Sequence, residues 1–295
     1  MSLLTRTDGA HATHGVRTGR ASTAAAVAFM TLAACYMLLP VYWLLVSSTK
    51  SQGDLVTTPG LRPADWHFGD NLTALFQQQD GVFARWLLNS LLYAGAGSAV
   101  ATALAAAAGY ALAKYQFKGR ELLFSVILGG VLVPATALAL PLFLMFAEVD
   151  ATNTFWSVFL PSIVSPFGVY LSRIFAAASV PDEVIEAARM DGAGELRIFT
   201  GIGLRMMSPA LVTVFLFQFV VIWNNFLLPL VMLQDDDLYP VTLGLYTWQT
   251  QTSRLPVLQT LTIVGALVSV VPIVLTFVLL QRYWRAGLSA GAVKS

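Results

Sequence analysis

The chain has one cysteine in 295 residues, and only 11% of its residues are charged. A lone Cys35 excludes an internal disulfide, and no CxxC or HExxH pattern offers a built metal site. No GxxxxGK[ST] loop occurs either, so the chain lacks the phosphate cradle of an ATPase of that kind. Soluble domains carry roughly 25% charged residues; the deficit here, beside 57% hydrophobic residues, marks a protein solvated mostly by lipid. The long apolar runs hold no central Asp, Glu, Lys or Arg. A mid-bilayer charge costs about 2.5–3.5 kcal/mol and is kept only for function. Its absence weakens a proton- or ion-coupled carrier, short of a Na⁺ site built from backbone carbonyls. An intramembrane enzyme would need an HExxH, a Ser/Lys pair or an aspartyl pair within the spans, and none is there.

What is present are apolar runs of membrane length. A helix rises about 1.5 Å per residue and the hydrocarbon core is about 30 Å thick, so a span needs roughly 20 apolar residues. Six runs qualify, near 23–46, 89–113, 121–146, 155–175, 209–233 and 257–281. The fold expected is an all-α integral membrane protein: a tail over 1–22, a six-span domain over 23–282 with its longest polar connection at 176–208, and a tail over 283–295. Grouping the tails with 114–120 and 173–208 puts 13 of the 17 Lys and Arg on one side. The other side keeps Lys50, Arg62, Arg85 and Arg254 beside Asp54, Asp65, Asp70, Asp80 and the run Asp235-Asp236-Asp237. Positive charge stays inside, so both termini are expected in the cytoplasm. The run Leu32-Ala33-Ala34-Cys35 looks like a lipoprotein cleavage box, but the apolar stretch continues to Val46 and reads as an uncleaved first span. His11 and His14 lie in a small-residue tail expected to be disordered.

Inside the spans, Gly97, Ala101, Ala105 and Gly109 recur every four residues, a stripe that lets a neighbouring helix approach closely. Pro134 and Pro141 fall two turns apart on one face of the third run, which gives curvature or a bent wall around a pathway. Trp43, Trp86, Trp156 and Trp284 fall near span ends, as interfacial anchors do.

The 176–208 connection reads as structured. Ser179 can cap, Pro181 suits a first turn, and Asp182 and Glu183 complement the positive end of a helix dipole, predicting a short helix over about 181–191. Gly192 and Gly194 permit a sharp turn before a second amphipathic piece with Leu196, Ile198 and Phe199. On pattern alone the first helix either rests on lipid headgroups or docks in a partner's groove, with Glu186 offering a carboxylate and Ala187 and Ala188 a narrow profile.

The residues Glu186-Ala187-Ala188-x-x-Asp191-Gly192-Ala193, followed by Phe199, Ile202, Leu204 and Pro209, resemble the EAA region of MalF/MalG-type permeases. Pro181 matches too, while Arg205 stands where those permeases usually have proline, which leaves the shape of the turn into span five open. Asn89-Ser90, Asn153-Thr154, the segment from Trp223 to Leu230, and the ending Gly287-Leu288-Ser289-Ala290-Gly291-Ala292-Val293-Lys294 extend the likeness, the last to the smaller maltose-type permease. The resemblance implies a type I ABC importer permease with a cytoplasmic coupling helix, itself neither enzyme nor cofactor-binding. Its implied partners are an ATP-binding subunit dimer, a second related permease, an extracytoplasmic solute-binding protein and a carbohydrate, with ATP bound by the ATPase; no nucleic acid is expected. A permease for a polyamine, an anion or a phosphorylated polyol is the neighbouring alternative, and a stand-alone carrier a more distant one. In span five, Gln218 and Asn225 are seven residues apart and share a helix face, Asn224 adjoins them, and Trp223, which could stack on a pyranose ring, points about 160° from Asn225 and is not expected to share its pocket. All four are candidates for the substrate pathway, and the amides could equally bond neighbouring helices.

Overall fold

The structure, a computed structural model, describes residues 20–291 and contains no strand within them. The expectations for His11 and His14 and for 292–294 lie outside the described residues. Fourteen α-helices follow one another. They are α1 (Arg20–Ser48), α2 (Gln52–Thr57), α3 (Phe68–Gln77), α4 (Val82–Lys114), α5 (Arg120–Val131), α6 (Ala135–Ala147), α7 (Phe155–Ser162) and α8 (Pro166–Ser179). They continue with α9 (Asp182–Met190), α10 (Glu195–Ile198), α11 (Leu204–Trp223), α12 (Leu227–Met232), α13 (Val241–Gln251) and α14 (Val257–Gly291). Among the described residues five helical runs are long and apolar enough to cross a bilayer, or six where the bent pair α5–α6 counts as one span.

That sixth span is not the continuous helix its apolar run suggests, for α5 and α6 meet at 101°. Pro134 explains the corner. It lacks an N–H, disfavours α conformation at Val133, and stands as the N-cap of α6 with φ −61° and ψ 131°. Before it, the amides of Leu132 and Val133 close tight turns onto the carbonyls of Gly129 and Gly130. Only Pro141 lies inside a helix there, so the two prolines do not line one face of one rod. Span four is likewise divided, between α7 and α8 at 163–165, and span five ends early at Trp223 rather than near residue 233.

The small-residue stripe is where the bundle is tightest. Gly97, Ala101, Ala105 and Gly109 are all buried, and α4 packs most extensively on α8 and then on α11. A Cβ on Gly109 would stand 2.5 Å from that of Ser172, so only a hydrogen fits. By contrast α1 touches chiefly α14 and is exposed along nearly its whole length.

Two apolar cores cap the bundle, one at each end. One gathers Phe83, Trp86, Trp248 and Leu258 near the start of α4; the other gathers Tyr110, Ala176, Ile185, Ile198 and Met207 near its end. Trp86 is therefore no interfacial anchor: it is 1% exposed, its ring lies 4.8 Å from that of Trp248, and its N–H donates to the Asp236 carbonyl. Trp43 and Trp156 are exposed, in keeping with anchoring. The residues of the Asn89-Ser90 and Asn153-Thr154 likeness prove to be architectural. Asn89 donates to the carbonyls of Asp237 and Tyr239, Ser90 accepts from the Val241 amide, and Asn153 accepts from the amides of Gln234 and Asp235. These bonds fix the 234–241 segment across the start of α4, with Arg85 paired to Asp237.

Candidate functional site: a docked helical hairpin and a broken span

At the Tyr110 end, α9 and α10 form a hairpin welded to three spans. Pro181 is the N-cap with φ −65°, Asp182 and Glu183 occupy the first turn, and Arg189 the last, each favourable to the dipole. Ser179 does not cap this helix; it is the last residue of α8. The other end closes as a Schellman motif. The Gly192 amide donates to the Arg189 carbonyl and the Ala193 amide to that of Ala188, with Gly192 at φ +78°. Ala188 and Ala193 then pack against the Tyr110 core, as the motif's paired apolar positions do. The Ala188-x-x-x-Gly192-Ala193 spacing is thus a helix stop, a signal legible in the sequence. Gly194 has φ −71° and needs no glycine conformation.

Ion pairs and hydrogen bonds fix the hairpin. Lys114, its side chain nearly buried at the end of α4, reaches Asp182 at 2.8 Å. Arg189 grips Glu195 with two N–H donors, at 2.7 and 3.2 Å, across the turn. Tyr115 donates to the same carboxylate at 2.8 Å. Burial, and then that hydrogen bond, push the Tyr115 phenol up to about 12, so it remains a donor throughout the physiological range.

No turn separates this hairpin from span five. From Glu195 the chain runs helically to Trp223, through a π-helical stretch at Phe199–Gly203 that takes the place of the expected bend. At its end Gly203 lies against the Tyr110 ring, where a Cβ would approach to 2.8 Å. Arg205 is exposed on this continuous helix.

What the hairpin presents outward is Glu186, Ala187, Asp191 and Gly192, all exposed, with no partner for the Glu186 carboxylate among the described residues. Beside them stand Met190 at 88% and Leu196 at 76% exposure. Met190 was not singled out by sequence; its signal is an apolar residue on the polar face of a helix whose buried side is Ile185. Exposed apolar side chains beside an unpartnered carboxylate leave this side of the hairpin free for contact with another protein.

The four span-five candidates do not share one surface. Because α11 stops at Trp223, helical spacing does not carry the face of Gln218 on to Asn225. Gln218 serves the break in span four: its Nε2 donates to the Ser162 carbonyl at 3.0 Å and its Oε1 accepts from Ser165 at 2.8 Å. Trp223 is 3% exposed and stacked on Phe219. Asn224 is exposed and donates back to the Val220 carbonyl, while the half-buried Asn225 carboxamide has no partner among the described residues. An apolar groove of about 390 Å³ between α11 and α14, walled by Phe217, Val220, Val274 and Phe277, suits an acyl chain rather than a hydroxylated solute.

Residues 99–288 match the family of binding-protein-dependent transport system inner membrane components. The chain is 36% identical over 225 residues to the arabinooligosaccharides transport system permease protein AraQ of Halalkalibacterium halodurans, covering 76% of this chain and 79% of that one. It is 30% identical over 270 residues to the diacetylchitobiose uptake system permease protein NgcG of Streptomyces coelicolor, covering 90% and 87%. In fold it is similar to a chain of a bacterial ABC transporter involved in the import of the acidic polysaccharide alginate. The TM-score is 0.78 at 20% identity, over 90% of this chain and 99% of that one. The match over well beyond half its length, with the membrane bundle and hairpin already described, places the chain in the binding-protein-dependent transport system inner membrane component family.

Proposed function

We propose that the chain is the permease subunit of an ABC importer for a carbohydrate, working in the cytoplasmic membrane with both termini inside. The observation that carries this reading is the hairpin. A rigid, charge-rimmed apolar surface, fixed to the ends of α4, α8 and α11, is built to receive force from another protein and pass it to the spans. Glu186, Ala187, Ala188, Asp191, Gly192 and Ala193 are its ATPase-coupling residues, and Met190 and Leu196 extend the contact. ATP is bound and hydrolysed by a separate ATPase dimer, and the permease itself needs no cofactor. A second, related permease completes the pathway, and a solute-binding protein delivers the sugar to the opposite end. There Asn224 and Asn225 stand at the break in span five, with Gln218 and Trp223 holding the walls behind them. The sugar assignment is supported by what the relatives named above transport.

The orientation is checked with single cysteines at Gln251 and Arg197, both exposed, in a Cys35→Ala background. A membrane-impermeant thiol reagent applied to intact cells is expected to label Gln251→Cys and to spare Arg197→Cys. The reverse pattern would invert the topology. The function is checked by reconstituting the permease pair with ATPase and binding protein in proteoliposomes, then following uptake of radiolabelled lactose, raffinose and arabinotriose. Uptake of at least one of them, dependent on both ATP and binding protein, is expected. Uptake of none would remove the carbohydrate assignment.

A further inference from the structure

Near the end of α4, Tyr110 is 2% exposed and belongs to the core that seats the hairpin. Its ring touches both ends of the π-helical stretch. It lies 5.1 Å from the Phe199 ring, centroid to centroid, and it occupies the space that a Cβ on Gly203 would enter. On another side stands Tyr115, edge to face at 6.0 Å, whose hydroxyl holds Glu195 at the start of α10. The Tyr110 hydroxyl itself is buried and has no hydrogen-bond partner among the described residues. Tyr93, at the other end of α4 and 3% exposed, donates to the Leu238 carbonyl. A buried hydroxyl left unpaired lowers stability, and a phenylalanine would fill the same space without that cost.

The stretch that this ring touches has a bond to exchange. In α register the Leu204 amide would donate to Thr200, four residues back; here it donates to the Phe199 carbonyl, five back. The Thr200 carbonyl loses that donor, and the turn carries one surplus residue. Exchanging one such bond at a time moves the surplus along the helix. The residues it passes turn by about 100° and shift by about 1.5 Å, while the two ends of the helix keep their places. The location gives this a consequence. Lys114 and Tyr115 tie the hairpin to the end of α4, through Asp182 and Glu195, whereas its covalent path into α11 runs through Phe199–Gly203.

We infer that Phe199–Gly203 is a movable joint between the hairpin and span five, and that the Tyr110 hydroxyl bonds a backbone carbonyl which this joint releases once ATP draws the hairpin across. The inference rests on the importer reading above. Before the movement the hydroxyl is unpaired, as it is here; after it, the new bond favours the moved state. One hydrogen bond between neutral groups corresponds to about two- to tenfold in the balance of the two states. Tyr110 is therefore a positioning residue. It touches neither solute nor nucleotide, and it sets how much of a displacement of the hairpin reaches span five.

The test uses the complete transporter in proteoliposomes, with Cys35→Ala and spin labels on cysteines placed at Arg197 and Arg205, both exposed and on either side of the stretch. Electron paramagnetic resonance follows their separation without nucleotide and after ATP turnover is trapped with vanadate. With Tyr110 in place, trapping is expected to change the separation. Tyr110→Phe should return the balance about two- to tenfold toward the nucleotide-free separation, and should lower uptake and stimulated ATP hydrolysis by a similar factor. The melting temperature of its nucleotide-free complex should equal or exceed that of the unmodified protein, because no bond is lost in that state. Gly203→Ala, which drives a Cβ into the ring, supplies the contrast of damaged packing: melting temperature and uptake should fall together. A separation that ignores trapping overturns the joint, and unchanged populations and uptake in Tyr110→Phe overturn the role of the hydroxyl. A lower melting temperature in Tyr110→Phe also overturns it, since the hydroxyl would then already be bonded, through a water, in the nucleotide-free state. Failure of the importer reading overturns the inference by a different result, namely that the unmodified transporter shows no uptake dependent on ATP and binding protein.

Discussion

Gly192→Pro is expected to abolish uptake while the protein stays in the membrane at normal yield. Two features of the native turn are lost together. Gly192 has φ +78°, in the left-handed region, whereas proline is fixed near −65°. Its amide also closes the helix by donating to Arg189 at 2.9 Å, and proline has no such donor. Without the turn, Ala193 no longer reaches Ala188, and Glu195 no longer faces Arg189. Met190 and Leu196 would then lose their fixed placement on either side of the turn. The larger core near the start of α4 does not involve the turn, so the bundle is expected to remain inserted. Gly192→Ala, which keeps the amide and costs about 1–2 kcal/mol for the left-handed conformation, should retain partial activity. Glu186→Ala separates docking from folding: its carboxylate has no partner within the described chain, so any loss there belongs to the ATPase contact. The checks are co-purification of the ATPase and ATP hydrolysis stimulated by loaded binding protein. Undiminished transport in Gly192→Pro would sink the coupling role of the hairpin.

Gly244→Ala is expected to collapse the opposite end of the bundle. A Cβ there would fall 2.1 Å from Cε3 and 2.2 Å from Cδ2 of Trp86. The indole has nowhere to go: it is fully buried, pressed against Trp248, and tied through its N–H to Asp236 at 2.8 Å. Overpacking of a rigid core costs about 1–3 kcal/mol, and more where a hydrogen bond must break as well. The yield of assembled complex should drop and its melting temperature fall. Adding Trp86→Phe, which shrinks the ring, should restore part of both. A melting temperature equal to that of the unmodified protein would mean that α13 can slide away from α4, and that the 234–241 segment is not the rigid frame its hydrogen bonds describe.

These two ends differ in how far they could be read in advance. The hairpin is local, and its Pro181, Asp182, Glu183 and Gly192 act on neighbours within a few residues, so a short helix with a glycine stop was legible along the chain. The exposure of Met190 was not, because it depends on which side of α9 the Tyr110 core takes. At the far end the bonds join residues far apart in the chain: Trp86 to Asp236, Ser90 to Val241, Asn89 to Tyr239, Asn153 to Gln234. Position near a span end made Trp86 look like an anchor, and only the arrival of α13 makes it a core residue.

By itself the sequence determined that the chain lives in lipid, that six apolar runs account for its spans, and that one polar loop folds as a helix. Hydropathy summed over twenty residues, caps and turn chemistry are properties of contiguous chain. The tertiary structure alone decided where the spans break and which polar groups are spent. Pro134, the Ser162–Ser165 interval and Asn224–Phe226 each free backbone groups that lipid cannot satisfy, so a break persists only where local turns, as at Pro134, or distant residues answer it. Gln218 answers the second and Thr242 the third. That requirement also decided the fate of the span-five candidates: Gln218 and Trp223 went to holding the bundle, and the Asn225 carbonyl was met by Thr242 from a helix that the sequence had not placed there.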